Sequence, residues 1–293
     1  MKIRVGLAML VLLICACSFA PVRAQNTPEE ELKRTAYHAE FAVLSIWYGP
    51  PEASAASQVV GTGFLVTADG YFVTAAHVLE HYQSDPAQMA KAGMMTAGIR
   101  QRSGDIFGAP FNLVEKDESH DLALCKLRIA LGQFIEHKDN PGTEQPIASL
   151  RVSSAEPTIG QFIAIAGFPL GSWTPAIQFG TVAAVRTTNP NAGRVAARQR
   201  DLLQISVSGN KGNSGSPVVS LDTGEVIGVI VQAEPAPLFT TSTVQGLPLA
   251  QSSGIMLAVP ASWVGHVLER HKVQSVAVLP PKGHTSYYPL PEK

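Results

Sequence analysis

The chain has 293 residues, enough for two modules or one large all-β unit. Hydrophobic residues make up 45% of it, which excludes wholesale disorder, and charged residues only 15%, below the level of a typical globular protein. The formal net charge of −1 leaves no global electrostatic case for a nucleic acid or an acidic surface as partner.

The N-terminus reads as an address. Lys2 and Arg4 precede an apolar stretch from Val5 to Ala20, and Val22-Arg23-Ala24 is a small-x-Ala cleavage pattern. Residues 1–24 are therefore expected to be a secretory signal peptide, with an apolar core short for a membrane span. Ile14-Cys15-Ala16-Cys17 loosely resembles a lipoprotein box, which offers lipidation of Cys17 as the alternative and the sole route to a membrane. Either route exports the protein, to a bacterial periplasm or medium. Removal of the leader takes Lys2, Arg4 and Arg23 with it and leaves a mildly acidic chain. Of three cysteines it leaves only Cys125, expected to be a small buried hydrophobe rather than a disulfide partner.

Thr27-Pro28 before Glu29, Glu30 and Glu31 is a helix start, and the helix is expected to end near Tyr37. Short strands follow, separated by turn residues: Ala42–Trp47, Val59–Val66, Tyr71–Thr74, Ala97–Arg102, Phe111–Glu115 and Leu122–Leu127. After a weakly periodic stretch over 129–157 come Phe162–Ala166, Ile177–Val185, Leu202–Val207, Pro217–Val219, Glu225–Val231 and Ile255–Val259. One clear amphipathic helix spans Ala261–His271, and a proline-rich tail ends the chain. Many short strands with few helices argue for an all-β sandwich or barrel.

Three segments carry chemistry. A strand runs into Thr74-Ala75-Ala76-His77; Ser119-His120-Asp121-Leu122 puts an acid at the mouth of an apolar strand; Gly209-Asn210-Lys211-Gly212-Asn213-Ser214-Gly215-Ser216-Pro217 is a glycine-rich loop around a serine. A serine hydroxyl is a weak nucleophile and needs a base. Histidine titrates near neutrality and suits that task. A carboxylate holds the imidazole in the right tautomer and stabilises its cation. The N–H groups of Gly212 and Ser214, with Asn213 shaping the turn between them, can converge on one spot as an oxyanion hole.

These blocks resemble the chymotrypsin-fold serine peptidases, nearest the bacterial HtrA/Deg proteases and glutamyl endopeptidases. The similar segments are Gly61-Thr62-Gly63-Phe64-Leu65-Val66, Thr74-Ala75-Ala76-His77-Val78, Asp121-Leu122-Ala123-Leu124, Gly212-Asn213-Ser214-Gly215-Ser216-Pro217, Gly224–Val229 and Gly254–Pro260. The resemblance implies two six-stranded antiparallel β-barrels followed by a C-terminal helix, with the site in the cleft between them. On that reading the leader is followed by a helix and first strand over 25–57 and a first barrel over 58–140. A connector over 141–160, a second barrel over 161–260, a helix over 261–272 and the tail from 273 complete the chain. His77, Asp121 and Ser214 would be the catalytic residues of a serine endopeptidase acting on proteins or peptides, without metal or organic cofactor. The stretch after Pro260 is too short for the PDZ domain of HtrA proteins.

The resemblance places the floor of the primary specificity pocket at Ser208 and a wall at Val231, Gln232 and Ala233, with Gly254–Met256 opposite. No acid lies at the floor. Ile230 stands where glutamyl endopeptidases carry a histidine. A preference for small or medium apolar side chains follows. Two alternatives compete: a catalytically silent binding module on the same fold, and a zinc hydrolase using His77-Val78-Leu79-Glu80-His81, an H-x-x-E-H segment.

Overall fold

The apolar runs form twelve strands among the described residues of the computed structural model, which are 27–49, 58–84, 95–100, 106–128, 147–187, 202–235 and 252–280. The described residues divide into two units after Glu31. Helix α1 (Pro28–Ala42), which runs across that division, starts on a reciprocal capping box. The Glu30 N–H donates to Thr27 Oγ1 (3.3 Å) and the Thr27 N–H to Glu30 Oε2 (2.8 Å). The helix runs past its expected end at Tyr37 because Tyr37, His38, Phe41 and Ala42 are buried. Tyr37 and Phe41, one turn apart, also hold their rings 5.0 Å apart.

The second unit holds two closed six-stranded antiparallel barrels. In the first, β1 (Val43–Tyr48), β2 (Val59–Leu65), β3 (Tyr71–Ala75), β4 (Met95–Arg100), β5 (Ile106–Asp117) and β6 (Leu122–Leu127) close in the order β1-β2-β3-β6-β5-β4. β1 thus belongs to this barrel, which the division at residue 58 left outside. Helix α2 (Ala76–Ser84) leaves directly from the end of β3. β5 extends well beyond Phe111–Glu115 because its first half pairs with β4 and its second half with β6, the latter with an irregularity between Leu113 and Glu115.

The second barrel contains β7 (Phe162–Gly167), β8 (Ala176–Thr187), β9 (Leu202–Ile205), β10 (Pro217–Ser220), β11 (Val226–Pro235) and β12 (Ser252–Pro260). It closes as β10-β11-β12-β9-β8-β7. Its interior is filled by Ile163, Ile165, Leu203, Ile205, Val218, Ile230 and Met256. The alternate residues Ala166, Val229 and Val231 join the larger core that includes the first barrel. Period-two strands buried on both faces explain why β11 reads as a continuous apolar run. Helix α3 (Ala261–Arg270) buries Val264, Val267 and Leu268. Cys125 is fully buried, and burial pushes its thiol up, so it is inert as a nucleophile.

A strap after α3 returns to the connector, where Ser149 and Val278 exchange both backbone hydrogen bonds (3.0 and 2.9 Å). His38 Nε2 donates to both of the same carbonyls at 2.9 Å. Burial lowers the His38 pKa from its ordinary 6.5; the two carbonyl bonds oppose this, and Arg34 adds to it. A group depressed on folding binds more protons when unfolded, so its contribution is full above pH 6.5 and is lost as pH falls through the folded value. Urea unfolding is expected to show stability dropping below that pH, and His38→Gln is expected to flatten the slope. An unchanged slope in the variant would assign it to other groups.

Candidate active site

Strand register brings the acid to the histidine. β3 pairs with β6 so that Ala75 faces Leu122, which sets His77 beside Asp121. The Ala76 N–H donates to the Asp121 carbonyl (3.0 Å). The His77 N–H donates to Asp121 Oδ1 (2.8 Å), and His77 Nδ1 donates to Oδ2 (2.6 Å). That bond fixes the tautomer and leaves Nε2 with its lone pair free for a proton. Asp121 itself has φ +55°, a left-handed conformation that Asp tolerates better than most residues.

The turn before Asp121 is held by Asp117. Its carboxylate accepts the N–H groups of Ser119 (3.0 Å) and His120 (3.2 Å) and the Nδ1 proton of His120 (2.9 Å). Partial burial works against ionisation of Asp117, and these bonds outweigh it, holding its carboxyl below the ordinary 3.8. His120 in turn stacks on Trp263 of α3, ring centroids 3.7 Å apart. The acid-bearing turn is thereby tied to the C-terminal helix.

The serine loop is seated on β2 and on the end of β3 that leads into His77. The Thr62 N–H of β2 donates to the Ser214 carbonyl (2.9 Å). Gly215, at φ +85°, lies so close that an added Cβ would overlap the Thr62 carbonyl and the Thr74 hydroxyl. Only glycine permits this approach. It docks Ser214 against the strand end that leads two residues later into His77. Ser214 is half-buried. No hydrogen bond joins its Oγ to His77 among the described residues; such bonds are often long before substrate binds.

The N–H groups of Gly212 and Ser214 donate to no acceptor among the described residues, whereas those of Asn213 and Gly215 are taken by Asn210 (3.2 Å) and Ile230 (2.7 Å). The two amides of the expected oxyanion hole are thus the open ones. Asn213 is buried, and its Nδ2 donates to Gln178 Oε1 (3.5 Å). Gln178 Nε2 donates to the carbonyl of Ser208, the expected pocket floor (3.1 Å), so one side chain links Ser208 to the serine loop. Sequence reasoning missed Gln178, whose role depends on β8 passing both loops.

Of the expected pocket residues, Ala233 and Met256 pack beside Gly209, the neighbour of Ser208. Val231 is buried, while Ser208, Gln232 and Ala233 are exposed. Ala233 pairs with Met256 across β11 and β12. A Cβ built on Gly209 would come within 2.6 Å of Met256 Cγ and 2.8 Å of the Ala233 methyl. This wall is apolar and tight.

The zinc reading of His77–His81 finds two of its groups engaged elsewhere. His77 Nδ1 is bonded to Asp121, and Glu80 pairs with Lys116 (2.9 Å). The side chain of His81 and the leader with Cys17 lie outside the described residues.

Serine protease HTRA4 of Mus musculus is 28% identical over 212 residues, 71% of this chain and 34% of that protein. A protein of Hahella chejuensis named as a probable periplasmic serine endoprotease, DegP-like, is 29% identical over 181 residues, 62% of this chain and 30% of its own. The chain thus spans about a third of the length of these relatives. The crystal structure of the serine endoprotease from Yersinia pestis superposes with a TM-score of 0.51 at 21% identity, over 85% of this chain and 67% of that one. The family profile described as trypsin-like peptidase domain matches residues 61–229, from β2 into β11. That match takes in His77, Asp121 and the serine loop. The chain is therefore a member of the trypsin-like peptidase family, and its two-barrel fold is that of the solved serine endoprotease.

Proposed function

We propose that the protein is an exported serine endopeptidase that cleaves peptide bonds through an acyl-enzyme. The observation that carries this reading is the His77–Asp121 pair, Nδ1 to Oδ2 at 2.6 Å, beside a serine loop whose Ser214 carbonyl is bonded to the neighbouring strand. Ser214 Oγ attacks the carbonyl carbon, and His77 Nε2 takes its proton. The oxyanion that forms is held by the N–H groups of Gly212 and Ser214. Collapse breaks the C–N bond, and His77 returns the proton to the leaving amine. Water then attacks the ester, with His77 again as base; the C–O bond to Ser214 breaks, His77 returns the proton to Ser214 Oγ, and the acid leaves. Asp121 orients the imidazole and stabilises its cation throughout.

The leader pattern supports export, and the DegP-like relative named as periplasmic agrees with a periplasmic site of action. The wall of Ala233 and Met256 around Gly209, with no acid at Ser208, supports small or medium apolar side chains on the acyl side of the cut. A peptide-library profile is expected to favour Ala, Val and Leu there; a clear preference for Arg, Lys or Glu would overturn that specificity.

The activity is tested with a fluorophosphonate probe and unfolded casein. The wild-type protein is expected to be labelled and to degrade casein; Ser214→Ala is expected to do neither. Labelling that persists in Ser214→Ala, or casein degraded equally by both, would assign the chemistry elsewhere. A wild-type protein that is folded, unlabelled and inert would favour the binding-module alternative.

A further inference from the structure

We propose that Thr62 is a positioning residue whose side-chain hydroxyl sets the direction of the oxyanion-hole amides. The inference rests on the serine-peptidase reading and assigns that site a residue outside the His-Asp-Ser set. Thr62 is fully buried on β2 and joins three pieces of the site. Its hydroxyl donates to the Gly212 carbonyl (2.7 Å) and accepts the Phe168 N–H (3.1 Å). Its own N–H holds the Ser214 carbonyl (2.9 Å), and its carbonyl accepts from Thr74 Oγ1 (2.7 Å).

The effect on the amides follows from peptide planarity. In a trans peptide the C=O and the next N–H point in opposite directions. The Lys211 carbonyl is held by the Leu170 N–H (2.6 Å), which turns the Gly212 N–H the other way. The Asn213 carbonyl is held by the Ser216 N–H (2.9 Å), which turns out the Ser214 N–H. Between these two planes lies the Gly212–Asn213 peptide, and its carbonyl is the one that Thr62 Oγ1 holds. Gly212 sits at φ +94°, where the absence of a Cβ leaves the backbone easy to rotate. Without the hydroxyl, both the Gly212 carbonyl and the Phe168 N–H lose a partner in a buried place, and the middle plane is free to turn. A turn there swings the Gly212 N–H off the reacting carbonyl.

A hydroxyl can donate once and accept at the same time; a methyl can do neither. The discriminating series is therefore Thr62→Val, which keeps the shape, and Thr62→Ser, which keeps the hydroxyl. T62V is expected to lower kcat and the fluorophosphonate labelling rate by about 100-fold, the low end of the effect of losing an oxyanion donor, with KM within about twofold. T62S is expected to stay within about threefold of wild type in all three. A peptide boronate, which forms a tetrahedral anion on the serine, is expected to lose affinity in T62V in step with kcat, while an uncharged product-like peptide keeps its affinity.

Wild-type kcat in a folded T62V would overturn the proposal, as would a T62S as impaired as T62V, or an equal loss for both ligands. If T62V does not fold, Thr62→Ala against T62S carries the same comparison. If neither Val nor Ala folds while Ser does, the hydroxyl is structural and the proposal fails. Absence of labelling in the wild-type protein would instead fail the peptidase reading itself.

Discussion

Asp121→Asn is expected to lower kcat about 10³- to 10⁴-fold while leaving the fold intact. The substitution separates chemistry from stability unusually cleanly. Asp121 has φ +55°, and Asn adopts that conformation at least as readily. Its Oδ1 can still accept the His77 N–H, now at 2.8 Å. What changes is the bond to Nδ1, now a 2.6 Å charge-assisted contact. An amide nitrogen there presents a proton, so the imidazole carries its own proton on Nε2 and can no longer accept one from Ser214. Steady-state kinetics and thermal unfolding check this together. A loss below about tenfold with an unchanged melting temperature would remove Asp121 from the mechanism.

The second large effect is expected at Gly212. Gly212→Ala places a Cβ at φ +94° on top of the Phe168 carbonyl, which is backbone and cannot step aside cheaply. We expect a loss of stability of about 3 kcal/mol, combining left-handed strain with overpacking. Activity is expected to fall further, by about 100-fold or more, because the loop must shift and its amides with it. Gly224→Ala is the control. It too has positive φ, +71°, but nothing lies within 4 Å of an added Cβ. That variant is expected to cost about 1 kcal/mol and to leave kcat unchanged, since its turn joins β10 to β11 away from the serine loop. Urea unfolding and kcat measured on the same preparations check both. Equal effects of the two variants would mean that positive φ alone, not the Phe168 contact, governs Gly212.

Much of the architecture could be read from local pattern. Twelve apolar runs between turn residues correspond to twelve strands, because a period of two and a break at Gly, Pro or Asp are properties of short segments. The ends of the elements were less legible. Helix α1 continues to Ala42 because Tyr37, His38 and Phe41 gain burial there, and burial depends on what packs against them. β9 stops at Ile205 rather than Val207, because the Val207 N–H bends back to the Ile205 carbonyl (2.9 Å) while the Ser206 N–H still reaches Thr181 (3.0 Å). The expected first barrel omitted β1, whose partners are two strands at different distances along the chain.

The same division runs through the site. His77, Asp121 and the glycine-rich loop around Ser214 announce themselves by residue type and order, since the chemistry demands a base, an acid and a nucleophile flanked by glycines. The floor and wall residues, Met256 among them, came from a resemblance, and the structure adds how tightly Met256 packs on Gly209. Thr62, Gln178 and Trp263 had no such signature. A threonine between two glycines is unremarkable until β2 lies under the serine loop. A glutamine on β8 means little until its amide spans Ser208 and Asn213. By itself, then, the sequence determined the strand-rich class and the family and nominated the candidate reacting groups, because these depend on short-range patterning and on functional-group chemistry. Only the tertiary structure decided which neighbours aim them: the register of β3 on β6 for His77 and Asp121, and the hydrogen bonds from one barrel to the loop of the other for Gly212 and Ser214. Those contacts join residues far apart in the chain: the first lies within one barrel, and the second exists only where the two barrels meet.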